Sequence, residues 1–138
     1  MDGVIVTSER VIHHPKGDIL HAMKSGDAGF CGFGEAYFSK VVQGEVKGWK
    51  MHSKMTLNLL VPIGGIEIVV CDGSDFFSVV LSSENYQRLT IKPKLWVAFK
   101  GLTKNNMLLN LASHPHDPAE CVTMVIDTFN FHWTDLEQ

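Results

Sequence analysis

The sequence predicts an all-β domain, a β-barrel or jelly roll of two antiparallel sheets with little helix. Short segments rich in Val, Ile, Phe, Tyr and Thr recur along the chain, separated by turn residues at a spacing of roughly 8–12 residues. No window carries apolar residues at the i, i+3, i+4 and i+7 positions of a helix over three turns. We therefore expect at most a short helical turn, near the C-terminal end of the chain.

The predicted strands follow one another between turns. They cover residues 4–7, 35–42, 56–62, 65–71, 76–81, 86–91, 96–100, 107–112 and 122–126. Gly64-Gly65 and the Asp-Gly-Ser-Asp run at residues 72–75 lie on either side of one strand, and Gly and Asp accept the backbone conformations of tight turns. With 138 residues, the chain has the length of one domain, residues 1–138.

The strand at residues 65–71 also bears on assembly. Glu67 is its one charged residue, which is typical of a strand covered on both faces. The second sheet of a jelly roll would cover one face. A partner subunit would cover the other, so we expect a homodimer that packs sheets together or exchanges edge strands.

Composition and charge exclude several classes of protein. The chain has 12 Lys and Arg against 15 Asp and Glu, which argues against electrostatic binding of nucleic acid. Its apolar runs are far shorter than the roughly 18 residues of a membrane span, and no secretory signal precedes residue 12. Three cysteines without a Cys-x-x-Cys pair indicate reduced thiols. We expect a cytoplasmic protein that binds neither membrane nor nucleic acid.

Residues 44–52, GEVKGWKMH, followed by Gly64, carry the most specific pattern. Their spacing resembles the first motif of the cupin superfamily, in which a glycine precedes His-x-His by five residues. Residues 91–99 lie where the second cupin motif is expected. The resemblance implies a cupin-type jelly roll.

A cupin metal site needs His-x-His on one strand, an acidic ligand and a third histidine. Those positions are held here by Lys50 and His52, by Thr56 or Leu57, and by Val97 or Ala98. Only His52 is a usable ligand, and a protonated Lys50 would repel a divalent cation. We therefore predict no metal and no cofactor.

Within the cupins, the order of motifs resembles the dTDP-4-dehydrorhamnose 3,5-epimerases and their short, divergent relatives. The resemblance rests on residues 15–21, 35–39, 47–52, 91–99 and 114–120. It implies an isomerase that needs no metal. The substrate would be a nucleotide sugar, namely a dTDP-linked 4-keto-6-deoxy sugar, in surface polysaccharide (lipopolysaccharide) synthesis. Such a reaction needs a base for the proton next to the ketone and a donor for the enolate oxygen.

Lys50 takes the place of the family's catalytic histidine, and the position of the family's tyrosine falls near Leu109 or Asn110. We expect His52 to act as the acid/base, with Lys50 as the cation that polarises the ketone or pairs with diphosphate. A desolvated Lys50 acting as the base is the other possibility.

The expected substrate-binding residues are Lys16, Glu35, Tyr37, Lys47, Asn58, Trp96 and Asn110. Several of them also have a purely structural interpretation. Trp96 fits core or rim packing, and Asn58 and Asn110 fit either buried structural amides or ligand-facing ones. The His114-Pro-His116 run is interpreted as an ordered loop. Two other functions stay open: a non-catalytic cupin that binds a carbohydrate or nucleotide sugar, and a sugar keto-isomerase.

Overall fold

A computed structural model describes residues 1–136 of the chain. Its strands are β1 (Val4–Ser8), β2 (Val11–Ile12), β3 (Ile19–Leu20), β4 (Glu35–Lys40), β5 (Val46–His52), β6 (Leu57–Ile63), β7 (Gly65–Cys71), β8 (Phe76–Ser82), β9 (Gln87–Ile91), β10 (Trp96–Gly101), β11 (Met107–Ala112) and β12 (Cys121–Thr123). Single 3-10 turns lie at Pro118–Glu120 and Ile126–Thr128.

The strands form two five-stranded antiparallel sheets. The first has the order β1-β9-β6-β11-β4 and the second the order β12-β5-β10-β7-β8, while β2 and β3 form a separate ribbon. The predicted all-β jelly roll of two antiparallel sheets is therefore confirmed. None of the helical turns in residues 1–136 is long and apolar enough to span a membrane.

Most predicted strands agree with the structure to within a few residues, and β7 and β11 coincide with their predicted segments. The strand predicted at 122–126 ends at Thr123, and a 3-10 turn follows at Ile126. β5 was not among the predicted strands, because Lys47, Gly48 and Lys50 interrupt its β-forming residues. Its backbone is held by β10 on one side and β12 on the other.

The main core lies between the two sheets and follows the period of two that strands impose. Alternate residues of β6 and β7 point into it, and Leu59, Val61, Ile66, Ile68 and Val70 are at most 1% exposed. The turn between these strands requires Gly64, whose φ is +82°. A Cβ atom there would lie 2.1 Å from the carbonyl oxygen of Asn105.

Residues 117–134, here called the C-terminal strap, cover the outer face of the second sheet. Trp49, Val69 and Cys71 are fully buried on this face, against the strap's aromatic residues. Trp49 stacks edge-on against Phe129 with ring centroids 5.1 Å apart, and its Nε1 donates to the carbonyl oxygen of Ile126.

The strap changes the argument for a dimer. β7 is buried along its whole length, as the sequence predicts, but the outer cover belongs to the same chain. Glu67 on this strand accepts hydrogen bonds from the backbone nitrogen and the hydroxyl of Thr134, at 3.0 and 2.7 Å. The expectation that a partner subunit covers the outer face of β7 is therefore replaced by a cover from the same chain, and the expected homodimer needs other support.

Candidate active site

A cavity of about 130 Å³ lies between the inner faces of the sheets. Its polar side chains are Tyr37, Ser39, Lys47, Lys50, His52 and Asn110. Its floor is apolar and consists of Leu57, Leu59, Val97, Phe99 and Leu108. This inner cavity adjoins a more open outer pocket of about 280 Å³, which shares Tyr37, Lys50 and His52 and adds Glu35, Met55, His116 and Cys121.

The geometry of β5 explains why three of its basic side chains meet in the cavity. Lys50 and His52 are two residues apart and so point to the same side, while Trp49 points to the opposite side. Opposite β10, the register shifts between Val97 and Phe99, so that β5 carries one extra residue. This bulge reverses the alternation and turns Lys47 toward the cavity as well.

His52 forms the shortest polar contact of the site. Its Nδ1 lies 2.5 Å from Oε1 of Glu120, and the side chains are only 13% and 5% exposed. A carboxylate can only accept, so Nδ1 carries the proton of the hydrogen bond. In the neutral imidazole this leaves Nε2 unprotonated, as a general base requires.

Glu120 is fixed on both of its oxygens. Its Oε2 accepts hydrogen bonds from the backbone nitrogens of Lys54 and Met55, at 3.0 and 2.9 Å. Burial by itself would raise the pKa of Glu120, but the hydrogen bonds from His52, Lys54 and Met55 and the charge of His52 outweigh it. The pKa of Glu120 therefore lies below its ordinary value. The carboxyl is ionised at neutral pH and stabilises a protonated His52.

A tyrosine and an amide face β5 from the first sheet. Tyr37 on β4 and Asn110 on β11 are directly opposite each other in the strand register. Asn110 Nδ2 donates to the hydroxyl oxygen of Tyr37 at 2.8 Å. The resemblance expects a tyrosine near Leu109 or Asn110, whereas here a tyrosine hydroxyl is supplied by the neighbouring strand β4.

The two lysines of the cavity differ in their surroundings. Lys47 Nζ donates to Ser39 Oγ at 3.1 Å and to the carbonyl oxygen of Lys40 at 2.8 Å, so protein groups hold its ammonium. Lys50 is exposed, and within residues 1–136 its ammonium has no hydrogen bond or ion pair. Lys50 is therefore the cavity cation that is free to meet a ligand.

Three of the predicted site residues lie outside both pockets. Asn58 is buried behind the first sheet, where its Oδ1 accepts from Thr90 and its Nδ2 donates to Gly29. Trp96 packs against Phe129 on the outer face of the second sheet. Lys16 lies in the exposed turn between β2 and β3. The structural interpretation accounts for Asn58 and Trp96, and nothing in the described chain brings Lys16 to the cavity.

Glu35 and Tyr37 share one face of β4, as their alternation predicts, and both line the outer pocket. Glu120 and His116 were not among the predicted site residues. Glu120 lies 68 residues from His52, and no spacing rule connects them. His116 was interpreted as part of a loop, which is correct, but that loop borders the outer pocket. No group of three or more His, Cys, Asp or Glu side chains in residues 1–136 could hold a metal ion.

A jelly roll with an inner cavity that contains a histidine–carboxylate pair is a cupin-type architecture. The model of the FdtA family, described as WxcM-like, C-terminal, matches residues 8–130. The chain belongs to this family. A search of curated protein sequences found no match.

Solved structures agree with this assignment. A dTDP sugar isomerase from Desulfovibrio desulfuricans is 32% identical, with 92% of this chain and 87% of that chain covered and a TM-score of 0.88. QdtA, a sugar 3,4-ketoisomerase from Thermoanaerobacterium thermosaccharolyticum in complex with TDP, is 20% identical, with 88% of both chains covered and a TM-score of 0.79. The 3,5-epimerase RmlC from Legionella pneumophila, in complex with dTDP-4-keto-L-rhamnose, is 17% identical, with 90% of this chain and 73% of that chain covered and a TM-score of 0.79. The last two show the shared fold.

Proposed function

We propose that the protein is an isomerase that moves protons on carbons next to the ketone of a dTDP-linked 4-keto-6-deoxy sugar. The observation that carries the proposal is the His52–Glu120 pair at the wall of the inner cavity. Membership of the FdtA family and the similarity to a dTDP sugar isomerase support the substrate class. Neither the proposed base nor the proposed donors require a metal.

In this proposal the sugar occupies the inner cavity, and its methyl group faces the apolar floor. His52 Nε2 removes the proton from the carbon next to the ketone, and Glu120 stabilises the imidazolium that forms. Negative charge then develops on the ketone oxygen, where the Lys50 ammonium and the Tyr37 hydroxyl act as donors. Lys47 is given a structural role in the wall of the inner cavity, because its ammonium already donates to Ser39 and Lys40.

The nucleotide part of the substrate is assigned to the outer pocket. Its volume of about 280 Å³ is larger than that of the inner cavity, and it is continuous with the catalytic wall through Tyr37, Lys50 and His52. Lys50 lines both pockets, and in this proposal it contacts either the ketone or the diphosphate. Glu35 and His116 supply further hydrogen-bonding groups at this entrance.

Two reactions use this chemistry: epimerisation at C3 and C5, and 3,4-keto-isomerisation. A single base suffices for the carbon protons in keto-isomerisation, because the proton leaves C3 and is returned to C4 of the same enediol, while O4 gains a proton and the C3 hydroxyl loses one.

Proton NMR of the protein with dTDP-4-keto-6-deoxyglucose in deuterium oxide tests the proposal. We expect loss of the C3 proton signal and the appearance of a 3-keto product, and loss of the C5 signal as well would indicate epimerisation. His52→Asn should abolish both changes, whereas His132→Asn, an exposed histidine outside both pockets, should leave them intact. Ligand line-broadening without exchange would instead indicate a non-catalytic binding protein.

We further propose that the protein acts as a homodimer in the cytoplasm, in the synthesis of surface polysaccharides such as lipopolysaccharide. β4 is an edge strand of the first sheet, and Phe38 on its outer face is 66% exposed next to Leu109 of β11. Phe33 nearby is 68% exposed. An apolar surface beside an open strand edge supports self-association. The three cysteines are free thiols, which fits a reducing compartment.

A further inference from the structure

The buried amide of Asn110 has one hydrogen-bonding atom without a partner. The residue is 3% exposed and lines the inner cavity. Its Nδ2 donates to the Tyr37 hydroxyl, but its Oδ1 has no hydrogen bond although it is buried. The side chains of Leu59 and Leu108 beside it in the cavity wall offer no donor.

A buried acceptor of this kind is uncommon, because desolvating a carbonyl oxygen without replacing its hydrogen bond is costly. Asn58 provides an internal comparison. It is also 3% exposed in a strand of the same sheet, yet its Oδ1 accepts from Thr90 and its Nδ2 donates to Gly29. Asn58 is a satisfied structural amide, whereas the oxygen of Asn110 is left for a group that enters the cavity.

The hydroxyl of Tyr37 is a second group that is available to a ligand. Its hydroxyl oxygen accepts the proton of Asn110 Nδ2, so its own proton is available to a further acceptor. The pair therefore offers one acceptor, Asn110 Oδ1, and one donor, the Tyr37 hydroxyl, side by side on the wall that faces β5. A ligand complementary to this pair carries a carbonyl oxygen next to a hydroxyl group.

We propose that Asn110 and Tyr37 recognise an α-hydroxy ketone: Asn110 Oδ1 accepts from the C3 hydroxyl of the sugar, and Tyr37 donates to the C4 ketone oxygen. This inference rests on the proposed function and deepens it, since it makes Asn110 a specificity-determining residue for the hydroxyl next to the ketone. A substrate that lacks this hydroxyl leaves Asn110 Oδ1 buried and unpaired, so the site discriminates against it.

Two probes that differ by one hydroxyl test the inference: dTDP-4-keto-6-deoxyglucose and its 3-deoxy counterpart. Calorimetric titration in the His52→Asn background keeps both ligands unreacted. We expect the 3-deoxy probe to bind about tenfold more weakly than the hydroxylated probe. Asn110→Leu should weaken binding of the hydroxylated probe about tenfold and abolish the preference. Tyr37→Phe should weaken the binding of both probes equally, because both carry the ketone.

Asn130→Leu is the matched control, since Asn130 is an exposed amide on the C-terminal strap, outside both pockets, and should retain the preference. Equal binding of the two probes by the His52→Asn protein, or a preference that survives Asn110→Leu, would overturn the inference. The comparison between probes decides it even if Asn110→Leu does not fold. Failure of the proposed function looks different: the wild-type protein would then exchange no proton of dTDP-4-keto-6-deoxyglucose, whichever of the two probes it binds.

Discussion

The Nδ1 atom of His52 and a carboxylate oxygen of Glu120 meet at 2.5 Å, although 68 residues separate them in the chain. His52 is held on β5, and Glu120 ends a 3-10 turn that precedes β12, the strand paired with β5. This contact orients the imidazole of His52, the base of the proposed reaction, even though Lys50 occupies the first position of the His-x-His pattern.

Replacement of Glu120 by Gln should lower kcat at least about tenfold, because an amide cannot stabilise the imidazolium of His52. Glu84→Gln, on an exposed turn, is the control. An unchanged kcat in Glu120→Gln would mean that the carboxylate is not needed to stabilise the imidazolium of His52.

The free energy of unfolding should also change with pH because of Glu120. Its pKa is lower in the folded protein than the ordinary value of about 4.3, so the unfolded chain binds more protons near that pH. The stabilisation is complete above the ordinary pKa and is lost as the pH falls through the folded value. In urea unfolding between roughly pH 3 and 6, the free energy of unfolding of Glu120→Gln should fall less steeply with decreasing pH than that of the wild-type protein. Asp72→Asn is the comparison variant, because it measures how much an exposed carboxyl whose pKa is lowered by its hydrogen bonds contributes to the pH dependence of stability.

Trp49→Ala should destabilise the protein by about 3–5 kcal/mol, as large-to-small changes of buried aromatic residues do. Trp49 is fully buried beneath the C-terminal strap and donates to the carbonyl oxygen of Ile126. Phe38→Ala removes an aromatic ring that is 66% exposed and should change the monomer's free energy of unfolding by less than about 0.5 kcal/mol. Equal effects of the two changes would refute the role given to the strap.

Alkylation of the cysteines should map the outer pocket. Cys31 is exposed and should react with iodoacetamide whether or not ligand is present. Cys71 is buried, and this burial raises the pKa of its thiol, so it should react only after unfolding. Cys121 lines the outer pocket, and a bound dTDP sugar should slow its alkylation. No protection of Cys121 at saturating ligand would place the nucleotide elsewhere.

Sedimentation equilibrium should give about twice the chain mass of 15.4 kDa for the wild-type protein. Phe38→Asp should shift the protein toward monomer, because a charge would be buried in the proposed interface. Val125→Asp changes an exposed apolar residue on the C-terminal strap, and the dimer should survive it. A wild-type protein that stays monomeric at high concentration would end the dimer proposal.

The sheets were predictable from the sequence because strands such as β7 and β11 combine β-forming residues with flanking turns. β5 does not show this pattern, because its polar side chains line the cavity. The cover on the outer face of β7 could not be assigned from that strand alone. A buried strand looks the same whether another chain covers it or, as here, Phe129 and Trp133 of its own chain do.

The site was predictable to the extent that it follows local spacing. Lys50 and His52 share a side of β5, and Glu35 and Tyr37 share a side of β4, as alternation requires. The place of Glu120 in the site depends on a contact between distant parts of the chain, which the periodicity of a sequence does not predict. Asn58 was equally ambiguous, because a buried amide has the same sequence signature whether it bonds to the protein or to a ligand.

The position of Glu120 after β1–β11 has a consequence for the order of synthesis. A nascent chain emerges from its N-terminal end, so both faces of the inner cavity can come together before the carboxylate has been made. Until then His52 lacks the partner that sets its tautomer. A ribosome-bound intermediate stalled before residue 117 would therefore contain His52 but neither Glu120 nor the C-terminal strap, and in the proposed reaction its base would have no oriented partner.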